Sequence, residues 1–578
     1  MRFKGHKILS LLSYNRMMNF KNGVFRLLLV FLFLAPFRLV SQQVLDAPPA
    51  GTIRTAAEWE EIQALVVTWT SYKSVLAEII RYAQEECRVI VHTSNPATAQ
   101  SELLNNYGVV IGPNVTFLTQ PFDRLWIRDY GANSAYIGDV DSLFLVDWKY
   151  NRPSRPKDDT LPRAYARELN LNLVQTIVEP DSLEHTGGNY MSDGFGTAFS
   201  SKLVLNENNT KTEAEIDGIM QEFMGIDRYI KMETLPYDGI NHIDMHMKLL
   251  DEETLLMAKY PAGVSDGPQI EANLLYVLDN FNSVFGTPYK VVRVVSPPDG
   301  NNDYPNAGGD YWTYANAVFV NKTVLVPIYS QTYDTTALRV YRENLPGYRV
   351  IGIPCNSIIS AGGAIHCITH SVGVNDPLLI SHQQHADTYD TQNPYQLNAR
   401  IQHRSGIAQA TLYWATDTLL EFNQLPMTLI DEANHTWSAA IPAQLAGAKI
   451  YYYIYAIANS GKSQLKPMPA PQGKYKFTIL ETGTGISNGS QVTGLFSLRA
   501  FPNPSSGITC IPVNSNVPLK LDLAVYDITG RLVQQLFNGE TRVGENRYYI
   551  NSADWVKGVY VIRAATNAGI KVEKLIVE

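Results

Sequence analysis

The chain has 578 residues, too many for one ordinary domain and enough to bury at least one large core. Its formal net charge is −8 and it has no long basic run, which argues against a nucleic-acid partner. With 33 tyrosines and only 18% charged residues, it has the composition of a folded, exported protein and not of a disordered one.

Residues 24–37, "VFRLLLVFLFLAPF", are apolar apart from Arg26 and are followed by "RLVSQQ". This pattern predicts a secretory signal peptide over 1–41, cut near Ser41 or Gln42, with Met17 or Met18 as alternative starts. The stretch is short for a spanning helix, and no other run approaches ~20 apolar residues, so no transmembrane span is expected in the mature protein. Residues 44–385 then alternate strand-like and helical runs. "ALVVTW", "RVIVHT", "SLFLVDW", "KLVLN", "TLLMAKY" and "TVLVPIY" read as strands by β-branched and aromatic content. "SVLAEIIRYAQEE" and "EAEIDGIMQEFM" carry helical apolar spacing. This part is α/β. After the polar stretch "SHQQHADTYDTQNPYQLNA", residues 390–480 read as all-β, with the strand spacing of an immunoglobulin-like sandwich. Residues 481–494 form a Gly/Ser/Thr linker. Residues 495–578 are again all-β. There, Pro502-Asn503-Pro504, "VYDITGRLV" and "GVYVIR" resemble the C-terminal sorting domain of the type IX secretion system. That resemblance implies export across an outer membrane by that machinery.

Four segments hold chemistry-bearing residues. In "GGAIHCITHS" (362–371), Cys367 follows paired glycines, which let backbone crowd close to something. By itself it fits a nucleophile, half of a disulfide, a metal ligand or inert filler. Cys87, Cys355 and Cys510 share no close spacing with it, so a disulfide framework is not expected. In "NHIDMHMKLLD" (241–251), a strand would set His242, Asp244 and His246 on one face. That face suits a hydrogen-bonded cluster, a catalytic group or a metal site. In "DRLWIRDYGAN" (123–133), Asp123, Arg124, Arg128 and Asp129 stand beside Trp126, which fits either a solvated Arg–Asp pair at a strand end or a receptacle for a flat cation, where a carboxylate takes the N–H fork and the ring takes the face. "EHTGGNYMSDGFGTAF" (184–199) reads as tight loops carrying polar groups.

Taken together, "WIRDYG", "HTGGNYMSDGFGT", "HIDMHMKLL" and "GGAIHCIT", with "YANAVFVN" at 314–321, resemble the agmatine deiminase and bacterial peptidylarginine deiminase family of guanidine-modifying enzymes. The resemblance spans about residues 48–380. It implies a five-bladed α/β propeller, though no repeat is demonstrable from this sequence. It implies Cys367 as nucleophile, His242 as general acid and base, and Asp129 and Asp244 as the grip on the guanidinium. Asn316 would support the cysteine region. The positive charge of the gripped guanidinium near Cys367 should favour its thiolate. No metal or organic cofactor is implied.

The substrate's far end separates the possibilities. "KYNRPSRPKDD" (149–159) offers Arg152 and Arg155 between prolines, a pair suited to clamping a carboxylate. It resembles the loop by which secreted bacterial peptidylarginine deiminases hold a C-terminal carboxylate, although Ser154 widens the spacing. The expected substrate is therefore peptide or protein arginine, preferably C-terminal, converted to citrulline with loss of ammonia. Agmatine is the alternative. From other classes, a metal-dependent hydrolase using His242, Asp244 and His246, and a non-catalytic surface adhesin, also remain.

Overall fold

Five times between residues 62 and 373 the chain builds the same small unit: an antiparallel strand pair, then a helical crossover to a strand parallel to the second of the pair. The computed structural model describes residues 42–480, 496–505, 507–515, 517–566 and 569–578. The expected signal peptide and the linker at 481–494 lie outside the described residues.

The first unit pairs Asn133–Ile137 with Ser142–Trp148, crosses by the helix Leu161–Glu168 and adds Asn172–Thr176 in parallel. The second pairs Met191–Ser192 with Thr197–Ser201 and adds Arg228–Met232 after the helix Glu213–Met224. The third uses Met247–Leu249, Thr254–Lys259, the helix Gly267–Asn280 and Lys290–Val295. The fourth uses Val318–Val320, Thr323–Ile328, the helix Gln331–Asn344 and Arg349–Pro354. The fifth joins the two ends of this region. His370–Gly373 pairs with Ile62–Thr68, and the helix Lys73–Ala83 leads to the parallel strand Arg88–Thr93.

The second strand of each unit is almost wholly buried, and in four of the five its sequence is largely apolar without strict alternation; the exception is Thr197–Ser201, "TAFSS". Leu255, Leu256 and Met257 in the third unit each contribute on the order of 1.5–3 kcal/mol by leaving water. The helices keep apolar residues on one side only. Glu213–Met224 buries Ile216, Ile219, Met220, Phe223 and Met224, and opens with a capping box between Thr212 and Glu215.

Two expectations fail here. "KLVLN" is a short helix, Leu203–Glu207, because the strand of that unit is the preceding Thr197–Ser201. "NHIDMHM" is not one strand: Ile243–Met245 is a 3₁₀ turn, and the strand begins only at Met247. His246 therefore leaves the face shared by His242 and Asp244.

Residues 379–478 fold into two antiparallel sheets. One orders its strands Leu379–Ser381, Tyr395–Gln402, Thr436–Ile441, Thr428–Asp431; the other is centred on Lys449–Ala458. Leu397, Leu412, Tyr452, Ile454 and Phe477 fill the space between. Residues 496–578 form two further antiparallel sheets around Leu521, Leu523, Ile562 and Leu575. Among the described residues no helix is long and apolar enough to cross a membrane.

Candidate active site

The fivefold repeat has a chemical consequence. The segment just before the first strand of each unit occupies an equivalent place, and these segments carry the candidate residues. They are Asp129 in the one-turn helix Ile127–Tyr130, the 3₁₀ turn Gly187–Asn189, His242 and Asp244 at the turn Ile243–Met245, Asn316 before Val318, and Cys367 in the 3₁₀ turn His366–Ile368. Residues more than 230 positions apart are thereby brought together.

Asn316 ties the cysteine segment down. Its Oδ1 accepts from the backbone N–H of Ala364 at 3.1 Å and of His366 at 3.0 Å. Its Nδ2 lies 3.0 Å from Asp244 Oδ2 and 3.2 Å from Cys367 Sγ. Cys367 Sγ is 3.5 Å from the same Asp244 oxygen. Gly363 is glycine because a β-carbon there would stand 2.7 Å from Cys367 Sγ and 3.0 Å from the Trp126 ring. The indole and the sulfur thus face one another across a bare backbone.

Asp129 and His242 form the second cluster. Asp129 Oδ1 is 3.5 Å from His242 Nδ1, and His242 Nε2 is 3.1 Å from Thr186 Oγ1. A β-carbon on Gly188 would sit 2.5 Å from His242 Nδ1, 3.0 Å from Asp129 Oδ1 and 3.3 Å from Asp244 Oδ2. The absence of a side chain at 188 is what lets three functional atoms approach one point.

Charge is distributed unevenly. Burial disfavours the Asp244 carboxylate, but the hydrogen bond and charge of His366, then His242 and Arg128, hold it below the usual range. Burial raises Asp129, with the neighbouring Asp244 charge adding to it against the pull of His242. Around Cys367 the protein's own charges are negative, so the positive charge that would favour its thiolate has to come with a guanidinium. Burial, then Asp244 and Asp129, push the thiol well up. All four cysteines are free and buried.

Several participants were not found from sequence. Glu58 Oε1 meets His366 Nε2 at 2.6 Å and Arg128 Nη1 at 3.2 Å, and its Oε2 meets Lys248 Nζ at 2.6 Å. Glu58 stands in the acidic run "EWEE", which reads as surface charge. His366 adjoins the cysteine inside a quoted motif, and that adjacency was its only signal. His246 is buried with neither ring nitrogen partnered, and burial lowers it to about 4. Among the described residues no cluster of three or more His, Cys, Asp or Glu is arranged to hold a metal ion. Arg152 is exposed, with electrostatic contact to Asp129 and Glu207. Arg155 is turned onto Tyr150, donating to its hydroxyl at 3.1 Å.

Residues 54–372 match the model of the Porphyromonas-type peptidyl-arginine deiminase family, and residues 499–578 match that of the secretion-system C-terminal sorting domain. A protein of Legionella pneumophila (strain Paris) named as an agmatine deiminase is 26% identical over 342 residues, 56% of this chain and 96% of its own length. One of Mycoplasma mycoides with the same name is 22% identical over 369 residues, 57% of this chain and 98% of its own. The agmatine deiminase structure of Enterococcus faecalis superposes with a TM-score of 0.50 at 17% identity, covering 57% of this chain and 99% of that one, a likeness of fold.

Proposed function

We infer the reaction from one premise: this chain belongs to the Porphyromonas-type peptidyl-arginine deiminase family, and so to the guanidine-modifying deiminases that act on guanidino C–N bonds. Its type IX sorting domain implies secretion or display at the cell surface. The proposed substrate is an arginine of a peptide or protein, preferably C-terminal, and the product is citrulline. The five ββαβ units are read as the blades of a propeller whose inner ends form the site. The observation that carries the proposal is the meeting of Cys367, Asn316, Asp244, Asp129 and His242 from four of those five places.

Asp129 and Asp244 each present a buried oxygen, Oδ1, without a hydrogen-bond partner. A guanidinium fork satisfies both and holds its central carbon against the sulfur, with Trp126 alongside. The bound cation also reverses the local field, so the Cys367 proton, which burial and the two carboxylates retain, is released once substrate arrives. The thiolate adds to the guanidinium carbon. His242 protonates one amino group, the C–N bond breaks and ammonia leaves, so the covalent adduct is enzyme plus substrate minus ammonia. Water deprotonated by His242 then adds to the same carbon, the C–S bond breaks, and the ureido product departs with the thiol restored. No step needs a redox partner.

Arg152 supports the C-terminal arginine reading, because it is an exposed cation within the electrostatic reach of Asp129. Agmatine is the second reading, and a specific observation favours it. Glu207 Oε2 and Asp238 Oδ2 are buried without hydrogen-bond partners and both act electrostatically on His242, a setting that suits a second cationic end. Purified protein incubated separately with an arginine-terminated peptide and with agmatine, followed by ammonia and ureido assays, tests the proposal. Peptide turnover supports it. Agmatine turnover alone keeps the chemistry and overturns the substrate.

A further inference from the structure

We propose that His366 is a positioning residue: a ring clamped between Glu58 and Asp244 that keeps Asp244 ionised and aimed at the substrate. The inference rests on the deiminase reading above.

His366 is fully buried. Nδ1 lies 2.8 Å from Asp244 Oδ2 and Nε2 lies 2.6 Å from Glu58 Oε1. A neutral imidazole has one donor and one acceptor nitrogen, and an acceptor facing a carboxylate oxygen is repelled. A ring that meets carboxylates on both sides therefore donates from both nitrogens, the inventory of an imidazolium. Glu58 is itself fixed by Lys248 and Arg128, and Arg128 Nε also donates to the His366 carbonyl at 3.3 Å. His370 also interacts electrostatically with His366, and burial lowers it to about 3.

The result is a buried series of alternating charge. Lys248 and Arg128 are positive, Glu58 negative, His366 positive and Asp244 negative. The series ends at Asp244 Oδ1, the oxygen left without a partner. Asp244 Oδ2 is occupied by His366 and Asn316, so only Oδ1 is free for the guanidinium. A lone buried carboxylate beside Asp129 would take up a proton, and the guanidinium N–H that meets Oδ1 would lose its charged acceptor. His366 prevents that at the cost of no reorganisation when substrate binds.

The test is the pH dependence of kcat/KM in wild type and in His366→Gln. In wild type Asp129, whose carboxyl is raised, sets the acid limb. In the variant Asp244 joins it. We expect the limb to move up by about one pH unit and to steepen toward two protons. KM should rise about tenfold, while kcat changes less than threefold. A folded variant whose limb stays in place, with only a uniform loss at every pH, overturns the proposal. If His366→Gln does not fold, Glu58→Gln carries the same test with a smaller shift in the same direction, and an unmoved limb there overturns it as well. A wild type that turns over neither agmatine nor peptide arginine instead removes the deiminase reading, so the two failures are distinguishable.

Discussion

The site has two halves built on opposite principles. Asp244 is embedded: three donors crowd it, its charge is balanced before substrate arrives, and its carboxyl is held low. Asp129 is exposed to its own desolvation, meets His242 only at 3.5 Å, and is held high. In the proposed mechanism, two carboxylates with the same task thus differ in readiness. One is a fixed anion around which the nucleophile is assembled. The other, held high by burial, gains most from the charge of a guanidinium. The lesson concerns where rigidity is placed: on the side of the sulfur, whose distance to carbon must be right, and less on the side of the acid and base.

The comparison can be broken most sharply by exchanging each carboxylate for its amide. Asp244→Asn should lower kcat/KM by about 10³-fold, because it also strands His366 and Asn316, and Asp129→Asn by about 10²-fold. Steady-state kinetics on one substrate suffice, and equal losses would erase the distinction. Gly188→Ala comes next. Its β-carbon would stand 2.5 Å from His242 Nδ1, so kcat should fall about 100-fold with little loss of thermal stability. Glu58→Gln probes the buried half through folding. Glu58 lies well below its ordinary value of 4.5 in the folded protein. Its contribution to stability is therefore present above that value and is lost as pH falls through the folded one. The variant should be destabilised by about 3 kcal/mol at neutral pH. Denaturant titrations should show the gap to wild type narrowing as pH drops below 4.5. The smallest effect is at the rim: Arg152→Ala should raise KM for an arginine-terminated peptide about tenfold and leave agmatine unaffected, whereas Arg155→Ala, whose side chain serves Tyr150, should change neither.

Much of the fold was legible because the second strand of each unit is buried on both faces. "ALVVTW", "SLFLVDW", "TLLMAKY" and "TVLVPIY" are four of those five strands. The fifth, Thr197–Ser201, is "TAFSS", too polar to stand out, and the apolar run "KLVLN" beside it drew the strand reading onto a helix. The first strands, two to five residues long, left no periodic signal. For that reason the repeat was invisible in sequence and plain in the hydrogen-bond ladders. Within the site, Cys367, Asp129, His242 and Asp244 lie in glycine-flanked or aromatic-flanked motifs. Glu58 was hidden among acidic neighbours, and nothing local betrays that Lys248, inside an apolar strand, is its partner. Arg128 turns to Glu58, and the charges that act on the Cys367 thiol are those of Asp244 and Asp129.

The most direct test of the account is to quench a reacting sample in acid and weigh the intact protein and its Cys367 peptide. The account predicts a transient adduct on Cys367 equal to the substrate minus ammonia, absent from Cys367→Ala, which should also lose turnover by about 10⁴-fold or more. Full turnover by Cys367→Ala, or an adduct on any other residue, would contradict it.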